Sequence, residues 1–476
     1  MGTKKLTMGR TLGYGVGSIG ENIAYTVFYN FFLFFLTDLI GLSATLAGTI
    51  SFVAVLWDAV TDPAVGYWSD MSRNPKGRRR PILFKGCFAL GAAIFLMFTD
   101  MQFLPMEAKG AYFLVVNMLF WLFLTMSDIP YLSLAAEMEA TPQGRTRLRS
   151  VAAAFLQGGM LIASAGMLPL VNLFGGTDHV LRGWSIAGAI MGICAIAAYL
   201  ISWMATNGLE PENPNLKKKK AEPGQEHDNP LKAEHGSVGG FIKSTARLLS
   251  YKPYLILLLL TFFVWFSANM QNSSLMYFCT YNAGMSDAQI STQFLVVGIA
   301  CAIGPLIVAP ITNRFGKKAT ALVAYSVAGV LTIVMAFVKP WDITYVYLFR
   351  ILSIIILSIW YVTIYAMVYD VSDLDEYENK HRREGGMQSM FQFSIKLATA
   401  VSMFLVGILL DVYGYQADAA TQTETALNGI KDLTILFPGI MLLVGVLVII
   451  FYPISNKRMK EVAAKLKEQN DGAENA

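Results

Sequence analysis

Charge is what this sequence has least of. Only 15% of its residues are Asp, Glu, Lys or Arg, against about 25% in a soluble domain. With 55% hydrophobic residues and a mean hydropathy of +0.49, that scarcity excludes an ordinary soluble protein. Amphipathic helices, which a large soluble protein needs to cover its buried ones, are almost wholly missing. Cysteine is scarce as well. Cys87, Cys194, Cys279 and Cys301 all lie in apolar runs and none sits in a CxxC pair, so packing is expected of them rather than a disulfide or metal framework. There is no Walker motif, nucleophile elbow or HExxH, which leaves an ATP-driven pump or a membrane hydrolase without its chemistry. No enzymatic activity and no organic cofactor are expected. Gly15-Val-Gly17-Ser-Ile-Gly20 has dinucleotide-fingerprint spacing, but no strand precedes it. Its glycines, with Gly13, are read as letting helices approach closely. A cleavable signal peptide is not expected, since the apolar stretch after the basic Met1–Arg10 is too long. The net charge of +4 comes from cations beside apolar segments, so a nucleic-acid partner is not expected either.

Long apolar runs are abundant, as in Ile354 to Val368 with its flanks and Ile430 to Tyr452. A run of about 18 or more residues crosses the ~30 Å hydrocarbon core as a helix. Twelve spans are expected, near 12–40, 44–72, 81–101, 110–138, 147–174, 183–205, 252–281, 288–313, 318–338, 343–370, 386–412 and 429–453. The segment between the sixth and seventh is rich in Lys, Glu, Pro and Asn and cannot bury apolar surface. The implied organisation is an all-α membrane protein of two six-helix halves, the major facilitator architecture. The bundles take residues 1–206 and 251–454, with a linker at 207–250 and a tail at 455–476.

Cations set the orientation. Lys4, Lys5, Arg10, Arg73, Lys76, Arg78 to Arg80, Arg145, Arg147, Arg149, the linker lysines, Arg314, Lys317, Lys318, Lys380, Arg382 and Arg383 all fall on one side. The opposite loops hold only Lys109, Arg182, Lys339 and Lys431. The positive-inside rule then puts both termini in the cytoplasm. The halves echo each other: Asp70 and Gly77 with Arg78–Arg80 in the first match Asn313 and Gly316 with Lys317 and Lys318 in the second.

Few ionisable groups lie at membrane depth, and each costs at least ~2.5–3.5 kcal/mol there: Glu21, Asp58, Asp62, Asp128, Arg350 and Lys396. Asp58 and Asp62 stand at i and i+4, so they project from one face. Paired carboxylates hold their charge only beside a cation. With Thr61 and Thr125 they form a candidate all-oxygen site for a coupling ion, Na⁺ being the metal candidate at Asp58 and Asp62. A structural ion pair with Lys396 is the competing reading. Asp128, before Pro130, is a candidate acceptor for sugar hydroxyls, or else a solvated Asp near a helix end. Asn22 and Lys396 join it as candidate substrate ligands, while Glu21 is a candidate gating partner. Tyr25, Tyr29, Trp121, Tyr131, Trp265, Trp360 and Tyr361 offer faces for a sugar ring, Tyr29 and Trp360 foremost, or serve interface and packing. Arg350 is read as snorkelling toward the interface. Asp70 and Arg78 are candidate gate residues, as are Asp370 and Asp373 facing Arg382 and Arg383.

Several stretches resemble the glycoside–pentoside–hexuronide:cation symporter family. They are Gly20-Glu-Asn-Ile-Ala, Thr37-Asp-Leu-Ile-Gly-Leu42, Trp57-Asp-Ala-Val-Thr-Asp-Pro63, Gly77-Arg-Arg-Arg-Pro81, Asp128-Ile-Pro-Tyr131, Asp370-Val-Ser-Asp373 and Phe451-Tyr-Pro-Ile-Ser-Asn-Lys457. The resemblance runs nearly the whole chain. It implies a cation site at Asp58, Thr61, Asp62 and Thr125, a sugar carboxylate at Asp128, and Lys396 near both. This chain has Asn22 where the family's melibiose carriers have an Asp, Glu21 where they have a Lys, and Thr61 where they have an Asn. Arg149 falls too early to match their fifth-span Arg. These differences concern which sugar is carried and leave the coupling site largely intact.

The expected activity is therefore symport of Na⁺ or H⁺ with a sugar or glycoside, by alternating access, in the bacterial inner membrane. The expected partners are that sugar, a monovalent cation and the lipid bilayer. The alternative is an uncoupled or proton-linked carrier of another amphiphile, a lysolipid or drug, on the same fold. A membrane sensor is disfavoured, because neither the linker nor the tail is large enough to carry a signal.

Overall fold

The helices begin where short polar side chains cap them. In the computed structural model, Ser43, Asp342 and Thr423 each accept from a backbone N–H three residues on. Ser286 and Gln289 form a reciprocal capping box, which satisfies end groups that the helix itself leaves open. The structure describes residues 6–454 except 102, 139–141, 177–178, 211–247, 380–383, 418 and 420, and also 458, 459, 461, 462 and 465. The expected linker and tail thus fall largely outside the described residues.

Twelve long helices run through the described residues. α1 is Met8–Val27, prolonged by π turns at Phe28–Phe32 and Phe35–Leu39. The next five are α2 (Ala44–Met71), α3 (Arg80–Met97), α4 (Met106–Met138), α5 (Pro142–Gly175) and α6 (Val180–Ala205). After the linker come α7 (Lys252–Asn282), α8 (Asp287–Phe315), α9 (Lys317–Met335), α10 (Ile343–Glu378), α11 (Glu384–Val412) and α12 (Glu424–Ile450). All but α1 are long and apolar enough to span a membrane by composition alone. In lipid every backbone polar group must be bonded within its own segment, which is why the spans are unbroken helices. α4 stays helical through Pro130.

α1 packs on α5 and α6, α3 on α4 and α6, and α2 on α4. In the second half α7 packs on α11 and α12, and α10 on α8 and α9. The halves meet chiefly where α2 crosses α11 and where α5 crosses α8. Glycine permits these crossings. A Cβ on Gly407 of α11 would overlap the Ala44 carbonyl of α2, and one on Gly20 would lie 2.8 Å from the Ala195 carbonyl of α6. The glycines refused as a dinucleotide loop are thus helix-contact residues.

Candidate substrate and cation site

The two halves enclose a cavity of about 450 Å³, within the range of small-molecule sites. Glu21, Asn22, Tyr29, Asp58, Asp62, Thr125 and Asp128 reach it from the first half. From the second come Trp265, Arg350, Tyr361 and Lys396. Every acid among these lies on α1, α2 or α4, and both cations lie on α10 or α11.

Asp58 and Asp62 do share a face, as their spacing requires. Lys396 of α11 stands between them, its Nζ 2.5 Å from Asp58 Oδ2 and also bonded to Asp62 Oδ2. Thr125 Oγ1 lies 2.7 Å from Asp58 Oδ1 and 2.9 Å from Asp62 Oδ1. Asp58 is almost fully buried, whereas a third of the Asp62 side chain stays exposed to the cavity. Thr61 does not join the cluster: its hydroxyl donates to the Asp58 carbonyl of its own helix, at 3.1 Å. Among the described residues no three His, Cys, Asp or Glu side chains gather to hold a metal ion. The cluster offers two carboxylates and a hydroxyl, and a protein ammonium sits among their oxygens.

Asp128 faces the cavity, and its Oδ1 is buried without a partner among the described residues. That is the state of an acceptor waiting for a donor. Asn22 lines the cavity too, but its Nδ2 donates to the Leu156 carbonyl at 2.7 Å and its Oδ1 accepts from Thr26 at 3.4 Å, which leaves one lone pair of that oxygen for a ligand. Tyr25, Tyr29 and Trp121 form one aromatic wall with centroids 5.9–6.5 Å apart. Trp265 and Tyr361 stand on the other side.

Two sequence readings need correction, those of Trp360 and Arg350. Trp360 is fully buried and packs between Trp265, at 5.0 Å, and Phe391, at 6.0 Å. It buttresses the wall and does not reach the cavity. Tyr131, for which packing was one of the two readings, is buried, stacked on Tyr14 and bonded to Ser18. Arg350 does not snorkel: it is 2% exposed and faces the cavity.

Residues 13–456 match the family described as MFS/sugar transport protein. The chain belongs to that family. This is the glycoside–pentoside–hexuronide group that the sequence motifs resemble, and the chain is a multi-pass membrane transporter of major facilitator fold. An uncharacterized symporter of Bacillus subtilis is 28% identical, over 98% of this chain and 97% of its own. An isoprimeverose transporter of Lactiplantibacillus pentosus is 25% identical, over 97% and 92%. Among solved structures, a D-xylose-proton symporter superposes with a TM-score of 0.67 at 16% identity, covering 93% of this chain and 97% of that one. At that identity the match shows the fold alone.

In this sugar-transport-family chain the expected gate residues divide. Arg78 pairs with Glu137 at 2.6 Å, and the Glu210 carboxylate accepts from the backbone of Arg78 and Arg79. These bonds tie the loop before α3 to the end of α4 and to the start of the linker. Asp370 pairs with Lys317 of α9 at 2.7 Å, a partner that sequence reading did not choose. Arg382 and Arg383 lie outside the described residues, as does the side chain of Asp70, and Asp373 is half-buried.

The contacts that close one face lie at the ends of α1, α7 and α11 away from the linker, and sequence reading passed over them. Asp38 accepts from Tyr281, at 2.5 Å, and from Tyr415. Thr37 lies 2.6 Å from Asp38 and 2.7 Å from the Tyr277 hydroxyl. Asp411 caps α2 through the N–H groups of Ala44, at 3.2 Å, and Thr45, at 2.7 Å. The missed signal was an acid inside the first span, Asp38, near three tyrosines at matching span ends. Each bond to a charged group is worth about 1.5–3 kcal/mol. A Tyr281→Phe, Tyr415→Phe double variant is therefore expected to open this face. The readout is thiol labelling of a Phe34→Cys probe in a background without native cysteines, since Phe34 packs 5.3 Å from Tyr277. Labelling that stays as slow as in the parent would refute the closure.

Proposed function

We propose that this chain carries a sugar or glycoside into the cell together with Na⁺ or H⁺, by alternating access of its two halves. One observation carries the reading: Lys396, on the second half, is held by Asp58 and Asp62 of the first, at the wall of the cavity that Asp128 enters. The ammonium stands in for the coupling ion. When Na⁺ or a proton takes the carboxylate oxygens, Lys396 is released toward the cavity, where it can donate to a sugar hydroxyl. Cation and sugar then favour each other's binding, and by linkage the factor is the same in both directions. The pair also latches the halves together, so its occupancy bears on their rocking. Both termini face the cytoplasm of a bacterial inner membrane in this proposal, on the cation bias of the loops.

Asp128, the Asn22 oxygen and the aromatic walls suit a hydroxyl-rich ring with apolar faces. A lysolipid tail in the cavity would leave Asp128 Oδ1 without a partner, which disfavours that carrier. The test is uptake into proteoliposomes of full-length protein, with labelled pentosides, hexosides and hexuronates. An inward Na⁺ or proton gradient is expected to concentrate at least one of them. Uptake of every sugar that ignores both gradients would overturn the coupling.

A further inference from the structure

We propose that Arg350, flanked by Gln271 and Asn272, reads an oxyanion, and that the sugar carried bears an acidic group, a carboxylate or sulfonate. The inference rests on the sugar-carrier reading above and narrows it. Arg350 projects from α10, almost fully buried, and faces the cavity beside Asn272. Its Nη1 lies 3.5 Å from Gln271 Oε1 and 3.3 Å from Asn272 Oδ1, both long contacts. Its Nε is buried with no partner among the described residues. Among the described residues no carboxylate forms an ion pair with it. Guanidinium stays charged and presents five donors in a planar fork. A buried charge ordinarily has a counter-charge, because burying it alone is expensive. Two neutral amide oxygens at long range do not supply one.

The surroundings say where the counter-charge comes from. Glu21, Asp58, Asp62 and Asp128 all enter the cavity from the first half, and Lys396 already holds Asp58 and Asp62. Gln271 is fixed by a hydrogen bond from Ser353, so its oxygen stays turned to the guanidinium. That steadies the fork and leaves Nε free. A ligand spanning the cavity can therefore give hydroxyl hydrogens to Asp128 and set an oxyanion against Arg350. A neutral sugar would satisfy only the first of these. The bidentate fit of carboxylate or sulfonate to the fork adds direction to the charge.

The test is tryptophan-fluorescence titration of the full-length protein in detergent. The probes are D-glucuronate, D-galacturonate and 6-deoxy-6-sulfo-D-glucose, each set against neutral D-glucose and D-galactose. At least one acidic sugar is expected to bind ~10-fold or more tightly than its neutral counterpart. Arg350→Gln should erase that ratio, while Arg350→Lys, which keeps charge but loses the fork, should retain part of it. The wild-type ratio needs no variant to fold. Neutral sugars binding as well as acidic ones, or a ratio that survives Arg350→Gln, would overturn the acidic-sugar inference and leave the sugar reading standing. Binding of neither class would overturn both.

Discussion

Asp58→Asn is expected to abolish uphill sugar accumulation while sparing exchange. With both aspartates ionised and Lys396 between them, the cluster carries one net negative charge, which a single monovalent cation neutralises. The asparagine removes that charge, so the cation loses its electrostatic reason to bind, and Lys396 keeps Asp62 as a full partner. A tenfold cation gradient stores about 1.4 kcal/mol, enough for tenfold accumulation at one-to-one coupling. In the variant the ratio should fall to about one, because no gradient reaches the sugar. Sugar counterflow, which needs no net cation movement, should persist. Asp62→Asn should behave alike. The readouts are steady-state accumulation and counterflow in the same proteoliposomes. If both variants concentrate sugar as the wild type does, the carboxylates are not the coupling site. If instead accumulation, counterflow and folded yield vanish together, the cluster serves only to hold the halves.

Asp128→Ala is expected to weaken sugar binding by about 100-fold or more. A carboxylate can accept from two hydroxyls, and bonds to a charged group are worth about 1.5–3 kcal/mol each. The present lack of a partner for its Oδ1 means that little protein structure depends on it. Thermal stability without sugar should therefore change little, and cation binding at Asp58 and Asp62 should remain. Isothermal titration of the sugar, beside a melting curve in Na⁺, separates these quantities. Sugar affinity within a factor of two of wild type would remove Asp128 from the site.

Much of this site was legible because helical spacing is rigid. Asp58 and Asp62 sit one turn apart, so their shared face followed from position alone. Lys396 needed a carboxylate at that depth, and it has two. Trp360 and Tyr361 show where such reasoning stops. They are neighbours on α10, at the start of the π turn Trp360–Ile364, and only Tyr361 lines the cavity. A wider turn rotates the facing of the residues beyond it, and residue type does not announce it. Arg350 misled for a related reason. Its place near a helix end suggested the interface, but which side of α10 meets α7 is settled by packing between helices. Asp38 was overlooked because its partners, Tyr281 and Tyr415, are more than two hundred residues away in the chain.

The sequence by itself determined the number of spans, their two-half division and the depth of the charged groups. Hydrocarbon thickness sets span length and lipid penalises stray charge, and both act on each segment separately. Only the tertiary structure decided which side chains share the cavity, which residues close the far face, and that Arg350 stands there without a counter-charge among the described residues. Those facts depend on how helices from opposite halves are turned against one another, and that rotation is set by contacts between segments distant in the chain.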